Sequence, residues 1–421
     1  MLIQQDKLSC SISRRGPIRQ AYCYELKPNN KQRTLLAKHA GAARFTYNWG
    51  LARRIEEYKN TGKSSNAIEQ HRQLNVLKKT EFSWMYEVSK CAPQEALRDL
   101  NRAFNNFYRG IKSFKRKGFP RFKKKGMHDS FRLTGSIHIF ESSVKLPRIG
   151  MIRTKERTDV KGSILSATVS READRWLVSF AVERERKKHK VTESSVIGID
   201  VGINCFAVTS DGTRIESPRP LENALKLLKR RSRQHSRKNL GSANRKKSSI
   251  RLARAHRRIR NSRKDFLHKV STQLAKTKPV IVIEGLNIRG MMQNRHLSRH
   301  IADAGWSKFI NMLSYKTEWY SSHLLRVPRF YPSSKMCSRC KTIKENFNLS
   351  QRMFKCEKCG LVIDRDENAA INLKHYITGS SPGSYACGDT PVGGTQEILR
   401  STSHVSLKQE ADAKSSSGIF G

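Results

Sequence analysis

The feature that most constrains this chain is a six-residue stretch, residues 196–201, reading Val-Ile-Gly-Ile-Asp-Val. Four aliphatic side chains flank one acid, Asp200, and Gly202 follows. A short apolar run of this kind predicts a buried strand with a carboxylate at its tip. Burying a carboxylate is costly unless positive charge holds it. Two later stretches supply matching groups. Residues 279–286 (PVIVIEGL) form another apolar run, carrying Glu284 near its end. Residues 364–372 (DRDENAAIN) predict a helix opening with Asp364 and Asp366. Between the second and third acids lie Cys337-x2-Cys340 and Cys356-x2-Cys359.

The charge of the whole chain narrows the partner. Lys and Arg number 83 against 35 acids, a formal net charge of +48 over 421 residues. Such an excess implies a polyanion, DNA or RNA. An anionic membrane is the weaker alternative: no lipidation signal is present, and no run approaches the roughly 18 to 20 apolar residues that a membrane helix needs. The first residues lack a secretory pattern. Cys10, Cys23, Cys91, Cys205 and Cys387 are scattered, so a reducing cytoplasm is expected rather than a disulfide framework.

Periodicity divides the chain. Residues 1–19 read as a flexible basic extension and residues 20–27 (QAYCYELK) as a strand. Residues 28–125 read as a helical domain, with helices near 31–59, 67–79 and 93–115, the first capped by an Asn and the third opened by Pro93. The domain ends in a basic run, Lys112, Lys115, Arg116, Lys117 and residues 118–125, interleaved with Phe114, Phe119 and Phe122. Cations beside flat rings grip phosphate and stack on bases; the plainer reading is a solvated turn with its rings in the core. Residues 126–190 alternate in short segments, which predicts antiparallel strands in a small barrel or curled sheet. The strand at 20–27 would join that sheet, making the helical domain an insertion.

A polar linker at 187–195 leads into the acid-bearing strand. Residues 191–331 predict an α/β domain: the strand, a hairpin turning at Asp211-Gly212, and a basic helical crossover over 221–278, outlining an RNase H-like fold. Two helices meeting around residues 239–243 would carry Arg251, Arg254, Arg257, Arg258, Arg260, Arg263 and Lys264, assigned here to a polyanion. Residues 304–325 predict an amphipathic helix and 324–330 a strand. The cysteine module spans 332–362, a last helix 363–377, and a disordered tail 378–421.

Four cysteines in two C-x2-C pairs can enclose one tetrahedral ion with no open position, which makes Cys337, Cys340, Cys356 and Cys359 a structural zinc set. Convergent carboxylates from separate segments suit two-metal phosphodiester hydrolysis, with Mg²⁺ ions about 3.5 to 4 Å apart. Asp200 would bridge the metals, and Glu284 and Asp366 would complete the set. Asp364 competes with Asp366 for the third place, and one of the two would cap the helix.

In order, GIDVGINCFAVTSDG, IVIEGLNIRGM, DAGWSKF, RFYPSSKMCSRC, FKCEKCG and DRDENAAINL resemble the TnpB (OrfB) proteins of bacterial insertion sequences, relatives of compact type V CRISPR effector nucleases. The motifs cover about residues 196–373, and the N-terminal pattern is similar. The resemblance implies an RNA-guided DNA endonuclease with a RuvC-type domain. By motif position Asp200, Glu284 and Asp366 would be its catalytic acids. It further implies a guide RNA from the element's end, double-stranded target DNA read beside a short motif, recognition and wedge domains, and a monomer near the bacterial nucleoid. Lys341 follows Cys340 where a Gly is common, which is expected to loosen that knuckle. The alternatives are a nuclease-inactive DNA-binding repressor, an accessory transposition factor, or a DDE transposase. The intact acid set argues against the first two, and the cysteine module with the arginine-rich surface against the third.

Overall fold

In a computed structural model of the protein, residues 16–113, 118–185, 196–345 and 351–378 are described. The expectations for residues 1–15, the basic stretch 114–117, most of the linker and the tail from 379 onward lie outside them.

Strand β1 (Ile18–Lys27) leads directly into α1 (Asn30–Thr61). The junction is fixed by Asn29, whose side chain accepts from the Gln32 backbone N–H at 2.8 Å while Gln32 Oε1 accepts from the Asn29 N–H at 3.0 Å. The helix stops at Gly62, in the left-handed region at φ +68. Helix α2 (Ala67–Leu77) is capped in the same manner by Asn66. Helix α3 (Cys91–Lys112) begins two residues before the expected Pro93, which sits in the first turn where a missing N–H breaks no helical bond.

Strands β2 (Ser130–Leu133), β3 (His138–Phe140), β4 (Ser143–Leu146), β5 (Gly150–Thr154), β6 (Ser163–Glu172) and β7 (Arg175–Arg184) join β1 in one antiparallel sheet of order β2-β6-β7-β1-β5-β4-β3. The first strand is thus central, paired with β7 from Ile18↔Arg184 to Leu26↔Trp176, and the helices α1 to α3 are an insertion. Among the described residues the sheet keeps two edges, β2 and β3, so it is not a hydrogen-bonded closed barrel, one of the two expected forms. Its inner face and the buried stripes of α1 and α3 share one core, with Leu36, Leu51, Leu100, Leu133, Ile152 and Phe180 among its members.

A second sheet, of order β10-β9-β8-β11-β12, holds the acid-bearing strands. Strand β8 (Ile197–Val201), β9 (Ala207–Thr209) and β10 (Arg214–Ile215) form an antiparallel meander, with Gly212 at φ +81 in the turn. Helices α4 (Pro220–Ser236) and α5 (Ala243–Thr277) then cross over to β11 (Val280–Glu284), which runs parallel to β8 and to β12 (His323–Val327). Two short helices, α6 (Ile288–Met291) and α7 (Ser298–Ala304), lead to α8 (Trp306–Tyr320). The single helix expected over 304–325 is therefore shorter at both ends. Gly305 at φ +73 starts it, and Ser321 at φ +59 ends it, freeing β12 to begin at His323. Pro328 stops that strand at Val327, short of the expected 330. Phe206 meets Phe266 and Phe309 edge-on, with centroids 4.9 and 5.0 Å apart, packing the helices onto the sheet.

The cysteine module carries a small hairpin of β13 (Met353–Lys355) and β14 (Val362–Asp364). Its second strand runs into the last helix, α9 (Arg365–Thr378), so residues 363 and 364 belong to the hairpin rather than to the helix. No helix among the described residues is long and apolar enough to cross a membrane.

Candidate functional site

Adjacent parallel strands bring the first two acids together. The β8–β11 register pairs Ile197 with Ile281 and Ile199 with Ile283. One step further along, Asp200, the penultimate residue of β8, and Glu284, the last of β11, stand at the same end of the two strands. Both strands are buried up to those acids, which become partly accessible only at the tips. The alternation of apolar residues thus delivers the carboxylates to one crevice beyond the carboxyl ends of the strands.

Helix α9 brings the third acid. It lies across β8 so closely that a Cβ at Gly198 would stand 2.0 Å from the Ala370 carbonyl oxygen and 2.6 Å from the Lys374 nitrogen. Gly202 lies at the same crevice, where an added Cβ would be 4.0 Å from Asp366 Oδ2. Asp366 therefore faces the end of β8.

Asp364 and Asp366 are held differently. Asp364 Oδ1 accepts from the backbone N–H groups of Asp366 at 3.0 Å and Glu367 at 3.2 Å, and so caps α9. Its Oδ2 pairs with Arg214 Nη2 on β10 at 3.0 Å. Burial alone would raise this carboxyl, but the Arg214 guanidinium and the two N–H donors hold it below the usual range.

Of the three remaining acids, Asp200 is the one that feels the charges of the other two. Burial, then the charges of Asp366 and Glu284, push the Asp200 carboxyl well above the ordinary range, and Arg365 offsets only part of this. Burial also raises Glu284. Their oxygens do not all lie within 4.8 Å of one another, so the three acids flank one region without forming a closed ligand set; as hard oxygen donors they would suit divalent ions of the Mg²⁺ kind. Two arginines, which the sequence reading did not single out, stand at Asp366. Arg365 donates from Nε and Nη2 to Oδ1, at 3.1 and 3.0 Å. Arg352 Nη1 lies 3.9 Å from Oδ2. Arg365 could have been suspected from its place between two acids in the DRDEN motif.

The four cysteines do assemble. Among the described residues theirs are the only ligand atoms of three or more such groups all within 4.8 Å of one another. Cys337 and Cys359 sulfurs are 3.6 Å apart and those of Cys340 and Cys356 3.5 Å. Four thiolates about 2.3 Å from one zinc ion would stand ~3.8 Å apart, so the quartet fits that ion. Burial pushes the Cys337 thiol up, while hydrogen bonds, first from Thr342, draw Cys340 down; a bound cation would favour the thiolate of both.

The expected loosening at Lys341 is not found. Lys341 takes the left-handed conformation at φ +62, matching Gly360 at φ +71 in the second knuckle. Its N–H donates to the Cys337 carbonyl at 3.0 Å, as the Gly360 N–H does to Cys356 at 3.1 Å. Its ammonium donates to the Ser338 carbonyl oxygen at 3.0 Å and to His375 Nδ1 on α9. Two fully buried asparagines of α9 complete the joint. Asn368 donates to the Met336 carbonyl oxygen at 2.8 Å and accepts from the Ser338 N–H at 2.9 Å. Asn372 donates to the Ser333 carbonyl oxygen at 2.9 Å.

Part of the arginine-rich crossover is used inside the protein. Arg254 and Arg257 pair with Asp174, at 2.8 and 3.3 Å, and Arg260 pairs with Glu172, tying α5 to the β6–β7 turn of the first sheet. Arg263 pairs at 2.6 Å with the buried Asp303, which also accepts from the Leu221 and Glu222 N–H groups and so caps α4. These four arginines, assigned to a polyanion on composition, have acidic partners that lie far away in sequence. Arg251, Arg258 and Lys264 stay exposed. On the helical domain Phe119 is half exposed yet packs edge-on against Phe104 and Phe107, at 5.5 and 5.3 Å, combining both readings of that segment.

Known proteins are similar to this chain. Residues 179–295 match a family described as "Probable transposase" (OrfB, IS605 type), and residues 306–373, from α8 through the cysteine module to α9, match a Cas12f1-like TNB domain. Residues 18–63 match a family described as "Helix-turn-helix domain", although here they form one strand and one long helix. A Streptomyces pristinaespiralis protein named "Putative RNA-guided DNA endonuclease" is 35% identical, over 93% of this chain and 96% of its own. An Escherichia coli K12 protein named "Putative RNA-guided DNA endonuclease InsQ" is 33% identical, over 89% and 95%. The protein of a Cas12f1-sgRNA-target DNA complex has a similar fold, with a TM-score of 0.52, 15% identity, and coverage of 85% of this chain and 99% of that one. With that identity sustained over nearly the whole of both chains, and with the OrfB model matching the segment that holds both acid strands, this chain belongs to the TnpB (OrfB, IS605-type) family of transposon proteins.

Proposed function

We propose that this protein is an RNA-guided DNA endonuclease in which Asp200, Glu284 and Asp366 are the catalytic acids. The observation that carries the reading is the β8–β11 register, which sets Asp200 and Glu284 side by side near neighbouring strand ends, with α9 packed onto β8 next to them; burial and the two other carboxylates push the Asp200 carboxyl up. A crevice that spends stability on mutual repulsion is one built for cations. Two bound Mg²⁺ ions would supply a water made nucleophilic at neutral pH and charge stabilisation at the leaving oxygen. The chain's own part is to hold the carboxylates in place: β8 and β11 fix Asp200 and Glu284 at neighbouring strand ends, and α9, capped by Asp364, fixes Asp366. The five strands, three antiparallel and two parallel with helices at the crossover, support an RNase H-like, RuvC-type domain. The cysteine quartet would hold a structural zinc ion.

The relatives' names and the net charge of +48 support guide RNA and target DNA as the partners. The proposal adds that the target is double-stranded and is cut beside a short motif. The first sheet and helical insertion would act as wedge and recognition domains. The test is plasmid cleavage by protein co-expressed with the RNA from its element's flank, with randomised sequence beside the guide-matched target. Linearisation that requires Mg²⁺ and RNA and is lost in Asp200→Ala is the expected result. Guided binding by both proteins with no cut by either would replace this reading with that of a repressor.

A further inference from the structure

Asp366 differs from its two neighbours in having both carboxylate oxygens faced by guanidinium groups. Arg365 covers Oδ1 and Arg352 stands at Oδ2. The two arginines are held differently. Arg365 is tied down: its Nη1 donates to the Gln351 carbonyl oxygen at 3.4 Å and its backbone N–H to the Arg352 carbonyl oxygen at 2.8 Å, and its side chain is 17% exposed. Arg352 leads into β13 of the cysteine module, and its side chain is 54% exposed. Its 3.9 Å contact is an ion pair too long for a hydrogen bond. A long, solvated side chain in a loose pair can move at little cost.

We infer that Arg352 is a guard on Asp366: in the nucleic-acid-free protein it competes with a divalent cation for this carboxylate, and the phosphates of a bound strand draw it away. The inference rests on the proposed metal-dependent nuclease. Its chemistry follows from charge alone. A guanidinium near a carboxylate oxygen repels a second cation and weakens the oxygen as a ligand. Phosphodiester oxygens compete well for a guanidinium because they accept its paired donors in one plane. A strand laid in the crevice would relieve Asp366 of one cation as the substrate arrives. Metal uptake and substrate binding would then favour each other, and each would do so to the same extent by linkage. The guard sits on the cysteine module rather than on the sheet, which gives the inserted module a task at the acids beyond carrying its own ion.

The experiment is a Mn²⁺ titration, followed by electron paramagnetic resonance, of the zinc-loaded full chain without RNA. Asp200→Ala sets the background binding. Arg352→Gln is expected to bind Mn²⁺ about threefold to tenfold more tightly than wild type, the effect of one unit charge a few ångströms away near water. Arg352→Lys, which keeps the charge, is expected to stay within about twofold of wild type. Adding a short single-stranded oligonucleotide, measured against Asp200→Ala with the same oligonucleotide, is expected to close the gap between wild type and Arg352→Gln. Equal or weaker Mn²⁺ binding by Arg352→Gln, with wild type still above Asp200→Ala, overturns the guard and leaves the nuclease site standing. A gap unchanged by the oligonucleotide overturns its release. Wild type indistinguishable from Asp200→Ala overturns the metal site and the guard together.

Discussion

The Ala370 carbonyl oxygen stands 2.0 Å from where a Cβ on Gly198 would lie. Helix α9 can therefore reach β8 only because residue 198 has no side chain, and Asp366 reaches Asp200 only because α9 does. The obstruction is backbone, which cannot rotate aside as a side chain would. Gly198→Ala is expected to cost about 3 kcal/mol of stability through overpacking. Thermal unfolding measures that cost. Cleavage should be lost even at temperatures where the variant stays folded, and full activity in a folded Gly198→Ala protein would refute the argument.

Asp200 supplies a test by pH. Its folded carboxyl is raised well above the ordinary value, so the metal-free folded state holds this proton more tightly than the unfolded chain does. That contribution to stability is fully present below the unfolded pKa, near 3.9, and is lost as pH rises through the folded value. Each unit of upward shift is worth about 1.4 kcal/mol. In Mg²⁺-free buffer at neutral pH, Asp200→Asn should melt higher than wild type, and the difference should shrink as pH is lowered toward 4. Calorimetry across that range decides it. A variant that melts no higher at neutral pH means that the wild-type carboxylate is already well compensated.

Asp364 and Asp366 are two residues apart and are expected to fail differently. Asp364→Ala removes the α9 cap and the partner of Arg214, which should cost about 1 to 2 kcal/mol. Cleavage should fall about 10- to 100-fold, as when a group that orients a ligand is lost. Asp366→Ala should abolish cleavage with little loss of stability. Cleavage and melting curves for the pair separate the roles, and the reverse pattern would exchange them.

These particulars mark how far the sequence could be read. The strands carrying Asp200 and Glu284 and the cysteine quartet are legible because each is local: apolar runs give strands, and two C-x2-C pairs give a knuckle pair. The membership of β1 in the first sheet is legible from the match between its alternation and that of the later strands, but its central place is not. What escaped depends on pairs distant in sequence. Nothing local shows that Arg254 and Arg257 meet Asp174, or that Arg263 meets Asp303, so composition assigned them to a polyanion. The break at Gly305 was hidden inside a continuous apolar pattern. Lys341 was misjudged because a rule about glycine overlooked what a long side chain can reach, namely His375 and the Ser338 carbonyl of its own knuckle.

That joint gives the last prediction. Asn368 and Asn372 are fully buried and spend their side-chain hydrogen bonds on residues 333–338, the segment that leads into Cys337 and Cys340. The proposed zinc ion would hold that segment in turn, since burial otherwise favours a protonated Cys337. Zinc binding should therefore contribute to the order of α9, and hence of Asp366, although no cysteine lies among the acids. Cys337→Ser, or chelation of the wild type, should increase amide exchange in the first two turns of α9 and weaken Mn²⁺ binding at the acids. Exchange at β8 and β11 should change much less, because their ladder does not involve the module. Hydrogen exchange read by mass spectrometry can compare these segments in one sample. Loss of protection in β8 and α9 alike would indicate global unfolding instead, and an α9 that keeps its protection without zinc would show that the asparagines alone hold the joint.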